Sequence, residues 1–119
     1  MEVAMQHFDL TTLSAMCGGD PKFLHDFIQL FTDTTPPSIA QIKVLRQTSE
    51  WSEIADILHK LKPTVELFGM MHIHAEIKLA EQAGKTGQNM EKMDMWLDHI
   101  LNNLEPAIEE LKKEIPKYA

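Results

Sequence analysis

Between Asn89 and Ile115 the apolar residues fall at Met93, Leu97, Ile100, Leu101, Leu104, Ile108 and Leu111. Steps of three and four put all of them on one side of an α-helix and on no single side of a strand. A stripe of that length predicts one helix from about Asn89 to about Ile115, bent at Pro106 unless its solvent side absorbs the lost hydrogen bond. A helix with one wet and one dry face must bury the dry face against neighbours.

The same pattern recurs along the chain. Asp9 is placed to cap a short helix through about Met16, ended by Gly18 and Gly19. Asp20-Pro21 reads as an N-cap followed by proline at the first helical position. Phe23, Phe27, Leu30 and Phe31 then form one apolar face, and Ile39, Ile42 and Leu45 continue its period past Pro36-Pro37. Either one kinked helix to about Thr48 or two helices meeting at the prolines would satisfy this. Ser49 is the expected cap of the next helix, which stops near Gly69. Another runs from about Met71 to Ala83, with Gly84 and Gly87 as stop signals. Strand signals are nearly absent, and no Asn-Gly or Asp-Gly hairpin turn occurs. Short connections between amphipathic helices predict an all-α, antiparallel up-and-down bundle, with residues 1–119 as one domain.

Composition narrows the function. A net charge of −7 argues against a general nucleic-acid binder, which needs a basic face. No run reaches the roughly 18 apolar residues of a membrane span. The start, MEVAMQHFDL, lacks the basic and apolar regions of a secretory signal. A single cysteine, Cys17, forms no internal disulfide and fits a reducing compartment, so the expected location is cytoplasmic. Cys17 itself reads as an inert thiol at a helix end rather than a reactive one.

One stretch, LHKLKPTVELFG at 58–69, carries chemistry. On a wheel turning about 100° per residue, Ile54, Ile57, Leu61, Val65 and Phe68 lie opposite His59, with Leu58 at the margin. Ser52, Ala55, Asp56, Lys62, Pro63 and Glu66 lie on its own side. His59 therefore stands in the middle of the polar face, where packing gives no reason for it; an ordinary surface residue is the plainer alternative. Imidazole is largely neutral near pH 7, with a ring nitrogen free to attack. Lys62, one turn along, can neutralise charge on a transferred group, and Lys60 can serve as a docking charge. Pro63 removes an N–H from the carbonyl of His59 and keeps the space beside the ring low.

These residues resemble the signature of histidine-containing phosphotransfer domains, the HPt modules of two-component phosphorelays. That signature is histidine, any residue, leucine, lysine, then a small residue, with glycine ten positions after the histidine; His59, Leu61, Lys62 and Gly69 fill those places. Trp51 before the motif and IKLAEQAGKTG after it are similar to the family's flanking helices, so the likeness covers nearly the whole chain. The family usually has glycine at the place of Pro63, and small residues where this chain has Thr64, Val65 and Glu66. Glu66 would repel an incoming acidic site. The resemblance implies four helices with an extra short N-terminal one. It implies that His59 accepts a phosphoryl group from a receiver-domain aspartate and passes it to another receiver, with Lys62 steadying the group. Lys60, Pro63, Ala55, Asp56 and Glu66 would form the receiver-docking face, and Gly69 would be structural. Any Mg²⁺ would belong to the receiver, so neither cofactor nor metal is expected. The partners would be receiver domains of response regulators or hybrid kinases, with no nucleic acid, no membrane and a monomeric carrier. Such a carrier has no substrate pocket of its own and is not an enzyme in the ordinary sense. The alternative is an HPt-like module that docks to a receiver or kinase without transfer. The initial methionine favours a free-standing protein over a piece of a larger kinase.

Other clusters read more plainly. His72 and His74 point to different sides of a helix, and a metal site with His7, His25 or His99 would need a tertiary coincidence. Asp94 and Asp98 beside His99 read as a solvated face, EELKKE at 109–114 as an exposed helix end, and Met70, Met71, Met90, Met93 and Met95 as core filling rather than an adaptable surface. No Gly-rich phosphate loop, Ser-His-Asp arrangement or CxxC is present.

Overall fold

The computed structural model describes residues 8–118. They form α1 (Thr11–Met16), α2 (Pro21–Gln47), α3 (Trp51–Leu67), α4 (Met71–Thr86) and α5 (Met93–Glu114). Short 3₁₀ turns at Met90–Lys92 and Ile115–Tyr118 flank α5. The architecture is the expected all-α one: α2 to α5 form an antiparallel up-and-down bundle, and α5 packs back against α2.

The pairings fix the directions. Between α3 and α4, Glu66 meets His74, His59 meets Glu81 and Ala55 lies against Gly84. Between α4 and α5, His72 meets Asn103 and Glu76 meets His99. Between α2 and α5, Lys43 meets Glu105 and Arg46 meets Asp98. One number rises as the other falls in each set, so each pair of helices is antiparallel.

The Asp20-Pro21 start is as read: the Asp20 carboxylate accepts from the Lys22 N–H at 2.9 Å. Asp9 stands one residue before the α1 cap, and its carboxylate accepts from both the N–H and the hydroxyl of Thr11. Those two bonds hold its pKa below the usual carboxylate value. α2 runs through Pro36 and Pro37 as one helix.

Five expectations need correcting. The apolar face of α2 is not the phenylalanine face. Leu24, Ile28, Phe31, Ile39 and Ile42 are buried, with Thr32 and Thr35, while Phe23, Phe27 and Leu30 are exposed. Phe31 belongs to both stripes, stacking on Phe68 at 4.6 Å between ring centres, and the aromatic residues drew the expectation to the wrong one. Ser49 does not cap α3. It takes φ 56°, a left-handed turn residue, and α3 begins after Glu50. α4 does not stop before Gly84 but reaches Thr86, where Gly87 ends it in the left-handed conformation. The last helix does not start at Asn89, which is itself left-handed and opens a 3₁₀ turn. Methionine usage is mixed: Met70 and Met93 are core, whereas Met71 and Met95 are exposed.

Gly84 is where α3 and α4 touch most closely. A Cβ there would lie 2.6 Å from the Trp51 carbonyl oxygen and 3.0 Å from the Ala55 Cβ. Only a residue without a side chain lets the two backbones approach so near.

Candidate functional site

α3 buries Ile54, Leu61, Val65 and the following Phe68 as expected, but the marginal Leu58 is fully buried while Ile57, placed on the buried stripe, is only half-buried. That leaves His59 outward, with 63% of its side chain exposed. The ring is not loose. His59 Nδ1 lies 2.7 Å from Oε2 of Glu81, on α4.

Glu81 is the residue that organises the site. It is 5% exposed, the one buried acid among the described residues. Lys62 Nζ donates to its Oε1 at 2.8 Å and Lys85 Nζ to its Oε2 at 2.8 Å. Burial by itself would raise the Glu81 pKa. The hydrogen bonds from Lys62, Lys85 and His59 outweigh it and bring the pKa down to about 2. Glu81 is therefore ionised near neutral pH and can only accept, so Nδ1 of His59 carries the proton that lies between them. A neutral ring then has its lone pair on Nε2, which has no hydrogen-bond partner among the described residues. A carboxylate behind an imidazole fixes its tautomer and orientation and stabilises positive charge as it develops on the ring. The arrangement suits attack by Nε2 on an electrophile that arrives from solvent.

Of the other residues on the expected face, Lys60, Asp56, Pro63 and Glu66 are exposed. Ala55 is not: it is fully buried beneath Gly84, because α4 covers that side of α3. It supports the site from below and offers no docking surface. Lys62 is half-buried, its chain laid along α4 to reach Glu81. Glu66 sits 3.9 Å from His74. At the start of α3, Glu50 pushes the Glu53 pKa up, with Asp56 adding to the effect, so one acidic edge precedes the histidine. Gly69 ends the motif at φ 67°, and a Cβ there would meet the Asp9 carbonyl oxygen at 2.6 Å, which ties α1 to the end of α3.

Glu81 and Lys85 lie within the IKLAEQAGKTG stretch but are not singled out in the sequence reading, though a signal for Glu81 exists. Met70, Ile73, Ile77 and Ala80 set the buried stripe of α4, and Glu81 falls on it four residues after Ile77. A carboxylate at an apolar position must find partners.

The remaining histidines scatter. His72 bonds to Asn103, and His99 to Glu76. His25 meets Asp26, and His7 lies outside the described residues. No cluster that could hold a metal ion occurs among the described residues. Asp94 and Asp98 are not merely a solvated face, since both hold Arg46 of α2. No helix among the described residues is long and apolar enough to cross a membrane. None of the protein-family models, curated proteins or solved structures compared with the chain matches it.

Proposed function

We propose that the protein is a phosphocarrier in a two-component phosphorelay, with His59 as the phosphoryl acceptor. The observation that carries this reading is the exposed His59 ring held at Nδ1 by a buried, ionised Glu81. His99 also meets a carboxylate, that of Glu76, but only the acid behind His59 is buried and held by two lysines. The resemblance of HKLKP and its flanks to phosphotransfer domains supports the same reading.

In the proposed step the Nε2 lone pair attacks phosphorus of a receiver's aspartyl phosphate. The bond between phosphorus and the carboxylate oxygen breaks, and its electron pair leaves with the aspartate. The ring now carries the phosphoryl group on Nε2 and keeps its proton on Nδ1, where the charge of Glu81 opposes the new ring charge. Lys62 and Lys85 each have three N–H donors and use one on Glu81, so they retain donors for the phosphoryl oxygens. Transfer to a second receiver reverses the step. The protein acts as a carrier between proteins, with receiver domains as its partners.

The test is labelling by a phosphorylated receiver. Acid-labile, base-stable phosphate is expected on His59, located by mass spectrometry. His59→Gln should abolish it and leave the helical circular dichroism signal unchanged, because the ring is exposed. Label that persists in His59→Gln would sink the assignment. Tight receiver binding with no label, unaffected by the same substitution, would instead establish a docking module.

A further inference from the structure

α4 presents Lys78, Glu81 and Lys85 on one face, and with Lys62, Gln82 and Thr86 they line an open cavity of about 260 Å³. Lys62 and Lys85 both rest on the Glu81 carboxylate. Lys78 is exposed and has no ion-pair partner among the described residues. One buried carboxylate therefore faces three ammonium groups. The cavity has an excess of two positive charges in a chain whose net charge is −7. Lys85 Nζ and His59 Nδ1 share the same oxygen, Glu81 Oε2, so the cavity, which His59 does not itself line, is linked to the imidazole through that carboxylate.

We propose that the cavity binds a small phosphate dianion. With it, His59 can take a phosphoryl group from a low-molecular-weight nitrogen-linked donor of the phosphoramidate class, with no partner protein. The inference rests on His59 being a phosphoryl acceptor. The PO₃ end of such a donor, like inorganic phosphate, carries two negative charges that balance the three lysines and Glu81, whereas a neutral or cationic ligand does not. In the reaction the Nε2 lone pair attacks phosphorus and a new N–P bond forms. The P–N bond of the donor breaks with its electron pair going to nitrogen. The donor nitrogen is already protonated, so it departs as ammonia and no acid is required. The Nδ1 proton stays between the ring and Glu81.

The experiment incubates the whole protein with phosphoramidate at low ionic strength and follows phosphate on His59 by mass spectrometry. Wild type is expected to be labelled, and inorganic phosphate to slow the labelling by competition. Lys78→Gln should label about fivefold more slowly, and Lys78→Arg near the wild-type rate. Lys43→Gln, which removes a charge paired with Glu105 between α2 and α5, should label as wild type does. Equal rates for wild type and Lys78→Gln, or no label on the wild type, would overturn the proposal. Receiver-dependent labelling measured in parallel separates the two levels. If it succeeds while phosphoramidate fails, the small-donor proposal alone falls; if both fail, the phosphocarrier reading falls with it.

Discussion

His59 Nδ1 and Glu81 Oε2 stand 2.7 Å apart, an exposed ring on one helix tied to a buried acid on the next. The pair joins the reactive surface of the protein to its core. Most of what can be tested about the site follows from it.

Glu81→Gln keeps the size and a hydrogen-bonding oxygen but removes the charge. The ring loses the strong acceptor that holds the proton on Nδ1. Receiver-dependent labelling of His59 should slow about tenfold. Nitrogen NMR of the imidazole should show the Nδ1–H tautomer in wild type and a mixture of tautomers in the variant. An unchanged tautomer would mean that Glu81 does not select it.

The same carboxylate sets a pH dependence. Its folded-state pKa is about 2, against 4.5 ordinarily, so the unfolded chain takes up a proton there first as pH falls. Its contribution is complete above about pH 4.5 and is lost as pH falls toward about 2. Because Lys62 and Lys85 are partly exposed, the contribution is about 2 kcal/mol rather than the full linkage value. Urea unfolding at several pH values should show the gap between wild type and Glu81→Gln closing across that window.

Gly84→Ala tests the contact beneath the site. The added methyl would meet the Trp51 carbonyl oxygen at 2.6 Å, and backbone cannot swing aside as a side chain can. Alanine favours a helix by about 1 kcal/mol over glycine, yet overpacking here costs about 1–3 kcal/mol. A net loss of stability is expected in the urea midpoint, together with slower labelling as α4 is pushed off α3. A stabilised variant would show that the helices part freely.

Arg46→Ala removes a tie remote from the histidine. The guanidinium reaches Asp98 at 2.8 Å and Asp94 at 3.0 Å, and both raise its pKa, with Asp98 dominant. Truncation should cost about 1 kcal/mol in low salt and less in high salt. His59 labelling should stay at the wild-type rate.

The helices, their order and the outward aim of His59 were legible because each is written as local periodicity. Asp20-Pro21 marked its helix start by side-chain chemistry that needs no tertiary partner. What escaped depends on contacts distant in sequence. Gly84 read as a stop signal, since nothing local says that Trp51 lies against it. Ala55 fell on the polar side of its wheel, but a wheel shows one helix and not the neighbour that covers it. Phe23, Phe27 and Leu30 outweighed Leu24 and Ile28 in a count of apolar size, although both stripes have helical spacing. Glu81 was missed because its three partners come from two helices.

At Gly84 a main-chain oxygen faces a main-chain carbon, so the spacing of α3 and α4 owes nothing to rotamers. His59 and Glu81, each about one turn along from that point, inherit the tolerance of the backbone. Surface drift can recolour the ring of lysines and acids around the histidine without moving it. A single methyl at position 84 has no such latitude. The spacing of the two helices is thus robust to changes on the surface and brittle to one beneath the site.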